Sequence, residues 1–80
     1  MEIKNRLKTL RKERKESQER VARAIDIALR IYQRFESGIG YPSFHVFCLL
    51  ANHFEVNMDY LAGRTDVREP LPPSKENPSE

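Results

Sequence analysis

Eighty residues, 39% hydrophobic and 32% charged, make one small domain whose core is only just large enough to fold without cross-links. The single cysteine excludes an internal disulfide and suits a reducing interior, no apolar run approaches the roughly 18 residues of a membrane span, and the charged start lacks the continuous apolar stretch of a secretory signal. The net charge of +2 hides an asymmetry: residues 1–40 carry 11 Lys/Arg against 6 Asp/Glu, and residues 41–80 carry 3 against 6, so only the first half suits a polyanion.

Ile3, Leu7 and Leu10 recur at helical spacing among charged residues and predict an amphipathic helix over 3–14. Ser17 then stands as an N-cap with Glu19 in the first turn, where the helix dipole favours an acid; Arg20 leaves the capping box incomplete. A second helix runs from Gln18 to about Ile25 and buries Val21, Ala22 and Ile25, the small Ala22 admitting close approach of another helix. Asp26 marks a turn that calls for positive φ, which Asp and Asn tolerate next after Gly. The third helix spans about Ala28 to Glu36, with Ile27, Ile31, Tyr32 and Phe35 inward, and closes on Gly38 as a left-handed cap.

After a loop at Ile39–Pro42, Ser43 caps a fourth helix to about Phe54, with Phe44, Phe47, Leu50, Ala51 and Phe54 as its core stripe. Val46 and Leu49 fall outside that stripe and point toward a partner surface or the tail. Residues 56–61 read as a cap and a short fifth helix, stopped by Gly63. Beyond Asp66 come four of the five prolines, so the domain is assigned to residues 1–64 and residues 65–80 to a Pro-rich extended or disordered tail.

The third helix carries the chemistry. Its outer face is Arg30, Gln33 and Arg34, and at ~1.5 Å per residue its length matches the ~12 Å width of a DNA major groove. Arg bonds guanine bidentately and Gln does the same to adenine, each good pair giving about 1–3 kcal/mol of discrimination. Ala28 and Leu29, which offer no hydrogen bond, suit a thymine methyl group.

The pieces S-Q-E-R-V-A, I-D-I at 25–27, R-F-E-S-G, Y-P-S-F and V-N-M-D-Y-L-A-G, in this order from about Ile3 to Gly63, resemble the lambda-repressor-like (Cro/repressor, or Xre) helix-turn-helix family. Asp26 and Glu55 stand where that family often has Gly. The resemblance implies a compact all-α five-helix domain and a sequence-specific regulator of transcription, a repressor, bound to double-stranded DNA. It also implies a homodimer on a two-fold operator in the cytoplasm of a bacterial or phage host. By resemblance, Ala28 and Leu29 lie where bases are touched, and Gln18 takes the place of a phosphate-binding glutamine. Ser37, Tyr41 and Ser43 lie along the sugar-phosphate backbone, while Arg11 and Glu36 form a partly buried salt bridge that holds Arg11 near a phosphate. Val56, Met58, Tyr60 and Leu61 fall where relatives dimerise.

His45, Cys48 and His53 are at most three ligands where structural zinc takes four, so no metal is expected and Cys48 reads as a core thiol. No nucleophile with an oriented base and no Gly-rich phosphate loop is present, so neither an enzyme nor a cofactor is expected. The alternative is an antitoxin or anti-regulator module that captures a toxin or protein antagonist with the tail and the apolar Val46/Leu49 surface.

Overall fold

Five helices account for the regular structure of the computed structural model, which describes residues 3–70 apart from the Lys4 side chain. They are α1 (Ile3–Glu13), α2 (Gln18–Ala24), α3 (Leu29–Ser37), α4 (Phe44–Phe54) and α5 (Met58–Leu61), with no strand among the described residues. The all-α five-helix architecture expected from the sequence is thus observed, with boundaries close to those expected.

Three helices start on a side-chain cap. Ser17 Oγ accepts from Arg20 N at 3.0 Å, Ser43 Oγ from Val46 N at 3.3 Å and Asn57 Oδ1 from Tyr60 N at 2.6 Å. Each bond satisfies a first-turn N–H that has no intrahelical acceptor, typically a gain of about 1 kcal/mol. Ala28 opens α3 without such a bond.

All five helix ends use one device. A residue at positive φ follows each helix: Lys15 (57°), Asp26 (62°), Gly38 (81°), Glu55 (58°) and Gly63 (84°). Its N–H bonds a carbonyl three residues back, and the next N–H bonds one five back, as in Asp26 N to Arg23 O (3.2 Å) and Ile27 N to Ala22 O (3.0 Å). The paired bonds satisfy carbonyls that the helix end would leave orphaned. Asp26 takes the left-handed conformation expected of it, and Lys15 and Glu55 do so without a glycine to signal it.

The core gathers Leu7, Leu10, Val21, Ala22, Ile25, Tyr32, Phe35, Leu50, Ala51, Phe54, Val56, Tyr60 and Leu61, with Ile3 at its edge. Both α1 and α2 pack on α3, while α1 and α4 pack on α5, so α3 is gripped from behind by two helices. Each fully buried aliphatic side chain contributes about 1.5–3 kcal/mol to this arrangement.

Several expectations change. Ile31, expected inward, is 42% exposed, because at 100° per residue the inner face of α3 centres on Tyr32, Phe35 and Glu36 and leaves Ile31 at its margin. Phe44, expected in the core, is 76% exposed; α4 enters the core only from its middle, and its first turn projects past its neighbours. Val46 and Leu49 instead pack against the core, half-buried. Arg6 is buried on the same stripe as Ile3, Leu7 and Leu10.

The segment Thr65–Pro70, assigned by composition to the tail, is docked. Asn57 N donates to Arg68 O at 3.0 Å, and Asn57 Nδ2 donates to Val67 O and Glu69 O, both at 2.8 Å. The rest of the assigned tail, 71–80, lies outside the described residues. No helix among the described residues is long and apolar enough to cross a membrane.

Candidate nucleic-acid interface

The outer face of α3 is wet and charged. Arg30, Gln33 and Arg34 are all exposed, as are Ala28, Leu29 and Ser37 at the ends of the helix. Among the described residues neither Arg30 nor Arg34 has a carboxylate partner, whereas Arg20 and Arg23 on α2 are tied to Glu16 (3.5 Å) and Glu19 (2.8 Å). Two guanidiniums on one helix face are therefore left to the solvent.

The inner face of the same helix is fixed by Glu36, only 5% exposed. Arg11 on α1 grips its carboxylate bidentately, Nε to Oε2 at 2.6 Å and Nη2 to Oε1 at 3.0 Å. Tyr32 Oη donates to Oε2 at 2.5 Å, and Gln18 Nε2 on α2 donates to Oε1 at 3.0 Å. Burial pushes the Glu36 carboxyl up, but the donors from Arg11, Tyr32 and Gln18 outweigh it and hold the group below the usual carboxylate range. Burial first, and the Glu36 carboxylate second, raise the Tyr32 hydroxyl far above its ordinary value, so it stays a donor. One carboxylate thus ties α1, α2 and α3 together.

The sequence profile of the helix-turn-helix family matches residues 7–61, which takes in most of α1 and all of the other helices. The chain belongs to the lambda-repressor-like helix-turn-helix family. It is 37% identical over 73 residues to the cryptic phage CTXphi transcriptional repressor RstR of Vibrio cholerae serotype O1. Those residues are 89% of this chain and 65% of that relative, so the chain spans about two thirds of its length.

In this helix-turn-helix unit α2 and α3 are the paired helices, and the structure sorts the residues expected to meet DNA into two groups. Arg30, Gln33, Arg34, Ala28, Leu29 and Tyr41 face solvent. Arg11 makes the expected partly buried salt bridge with Glu36, and Gln18, expected at a phosphate, turns inward as well. Arg11 commits Nε and Nη2 to Glu36 and Nη1 to Glu16 O at 3.0 Å, and Gln18 spends both ends of its amide, accepting from Gln33 Nε2 at 3.2 Å. Glu36 draws them in because a buried carboxylate needs every donor within reach. Ser37 turns its hydroxyl back to the carbonyls of Gln33 (3.0 Å) and Arg34 (3.1 Å), and Ser43 serves as a cap.

The residues expected to dimerise are consumed by the domain itself. Val56, Tyr60 and Leu61 are core side chains, and only Met58 keeps part of its surface, with Cys48 Sγ 3.6 Å from its Sδ.

Two further polar centres were not anticipated. At the first, Glu16 bonds His53 Nε2 at 2.9 Å, tying the α1–α2 turn to α4. Burial raises this carboxyl, but the hydrogen bond to His53 and the charges of Arg14 and Arg20 bring it below the usual range. At the second, the Tyr60 ring sits beneath the Arg6 guanidinium, 4.0 Å from its centroid, and within 5.2 Å of Arg68. Arg6 also holds Thr65 O (3.2 Å) and Asp66 (2.9 Å), while Arg68 bonds Glu13 bidentately at 2.7 and 2.8 Å and Tyr60 Oη at 3.1 Å. The position of Arg6 on an apolar stripe was the available signal; the Arg68–Glu13 pair spans 55 residues and had none.

Proposed function

We propose that this helix-turn-helix protein is a transcriptional regulator, a repressor, that binds double-stranded DNA sequence-specifically as a homodimer on a two-fold operator. The observation that carries this reading is the division of α3: three exposed polar side chains with no carboxylate partners among the described residues, on a helix whose other face is immobilised by Glu36. Arg30 and Arg34 would bond guanine edges, Gln33 an adenine edge, and Ala28 and Leu29 would lie against thymine methyls, while α2 crosses the backbone. Ser37 and Ser43 would flank the groove with backbone contacts. The described name of the relative, a transcriptional repressor, favours repression as the sign of control. DNA as partner puts the site of action in the cytoplasm. Val46 and Leu49, the apolar part of the antitoxin or anti-regulator alternative, are half-buried against the core, which favours the DNA reading over it.

Selection of sites from random duplexes with the whole chain is expected to return an inverted repeat, its half-sites about 10 bp apart. Arg30→Ala and Arg34→Ala should each weaken that site by about 1–3 kcal/mol and relax preference at one position, as read by quantitative binding to single-base variants. Enrichment without a motif, or full affinity in both variants, would rule the reading out.

A further inference from the structure

We propose that the protein pairs with a second copy of itself through the charge-free apolar surface of the α3–α4 loop, formed by Ile39, Tyr41 and Phe44. The inference supplies the contact surface for the homodimer of the functional reading. It rests on that reading for the placement of the two reading helices, though not for association itself.

Ile39, Tyr41 and Phe44 are 64%, 78% and 76% exposed within six positions of the chain. Single exposed apolar residues are ordinary, but a cluster of this density marks a contact surface. The surrounding sequence points the same way. In a protein that is 32% charged, no Asp, Glu, Lys or Arg occurs from Ser37 through Phe54. Depletion of charge together with exposed aromatic residues is the composition of an interface core.

The occupant follows from charge and shape. A two-fold contact sets a patch against its own copy, so a charged patch repels itself and a neutral one does not. Beside the patch lies a groove of about 420 Å³ lined by Ile3, Tyr41, Pro42, Phe47 and Ala62. Tyr41 belongs both to the patch and to the groove lining, so each copy offers an exposed ring beside an apolar recess able to receive one. The segment has no cation to set against phosphate, so its share of any DNA contact is limited to the Ser37 and Ser43 hydroxyls and backbone N–H groups, and the apolar side chains are left for protein. On the α5 side Val56, Tyr60 and Leu61 lie in the core and the Thr65–Pro70 strap is tied across Asn57, beside a groove of about 600 Å³ that Asn52, Asn57 and Asp59 make more polar. Tyr41 accordingly moves from the sugar-phosphate backbone to the protein contact. Because the patch starts directly after the Gly38 cap of α3, the contact and the reading helix occupy consecutive segments.

Sedimentation equilibrium of the whole chain without DNA tests the proposal. The protein should dimerise with rising concentration through the micromolar range. Phe44→Glu places an acid in the first turn of α4, where the helix dipole welcomes it, and sets two carboxylates against each other across the two-fold axis. It should weaken association roughly tenfold or more with circular dichroism unchanged, Ile39→Glu should act in the same direction, and Val67→Glu, an exposed change on the strap, should not. A chain that stays monomeric, or dimers of both loop variants as tight as the parent, overturns the proposal. So does a Phe44→Glu variant that loses DNA affinity while dimerising normally, which would give the patch to DNA. A dimer without site-specific DNA binding sinks the functional reading alone, and a chain that binds a two-fold site while both loop variants dimerise as tightly as the parent sinks this one alone.

Discussion

Glu36 under α3 and Tyr60 under the C-terminal strap are both buried polar centres, and they are satisfied in different ways. Glu36 takes hydrogen bonds from Arg11, Tyr32 and Gln18, drawn from three helices, and both of its oxygens are used. Tyr60 is held by two guanidiniums against its ring, by a half-exposed Arg68–Glu13 pair, and beside an Arg6 whose Nε has no partner. A network of convergent, fully used donors has one low-energy geometry, whereas ring contacts and exposed ion pairs tolerate sliding. The fold therefore concentrates its rigidity behind the helix that faces outward and holds the strap more loosely.

Removing the acceptor at the centre of the first network should have the largest effect. Glu36→Ala leaves Arg11 and Tyr32 without their shared partner and should cost about 3–5 kcal/mol in denaturant unfolding, a large part of the ~5–15 kcal/mol that holds a domain of this kind. Acid should reach the same centre more gently. The Glu36 carboxyl lies below its ordinary value of 4.5, so its contribution is complete above that pH and disappears as the pH falls through the lowered value. The thermal midpoint should hold steady from neutral pH to about 5 and then drop, and Glu36→Gln should flatten the drop. At the strap, Arg68→Ala should cost no more than about 1 kcal/mol, because its pair with Glu13 is half-exposed. Hydrogen exchange should quicken at the Asn57 amide, which donates to Arg68 O, and not at the amides of α3. Equal losses from Glu36→Ala and Arg68→Ala would erase the contrast between the two centres.

Where local periodicity and capping decide structure, the sequence was legible. The stripe Ile3–Leu7–Leu10, the Ser17 and Ser43 caps and the Asp26 turn all stand as read. The turn at Lys15 was hidden because lysine does not favour the left-handed conformation, and Glu55 was marked only by standing where the resembled family often has Gly. Ile31 and Phe44 were misplaced because hydrophobicity does not say where a helix runs past its neighbours. The outward face of α3 was readable as an amphipathic pattern. The Arg11–Glu36 pair was expected through the resemblance, but the inward commitment of Gln18 was not, since it depends on Glu36 meeting α2 in space. Tyr32 did carry a hint, because a buried tyrosine hydroxyl needs an acceptor and Glu36 lies one turn on.

The bond from Gln33 to Gln18 has a consequence for selectivity. Through Gln18 the exposed amide is anchored to Glu36, so its torsions are restrained before any base arrives. An adenine taking up that amide would exchange one hydrogen bond for another, with little gain in affinity and little freedom left to lose. Position 33 would then act mainly by rejection, penalising bases that cannot replace the contact Gln18 gives up.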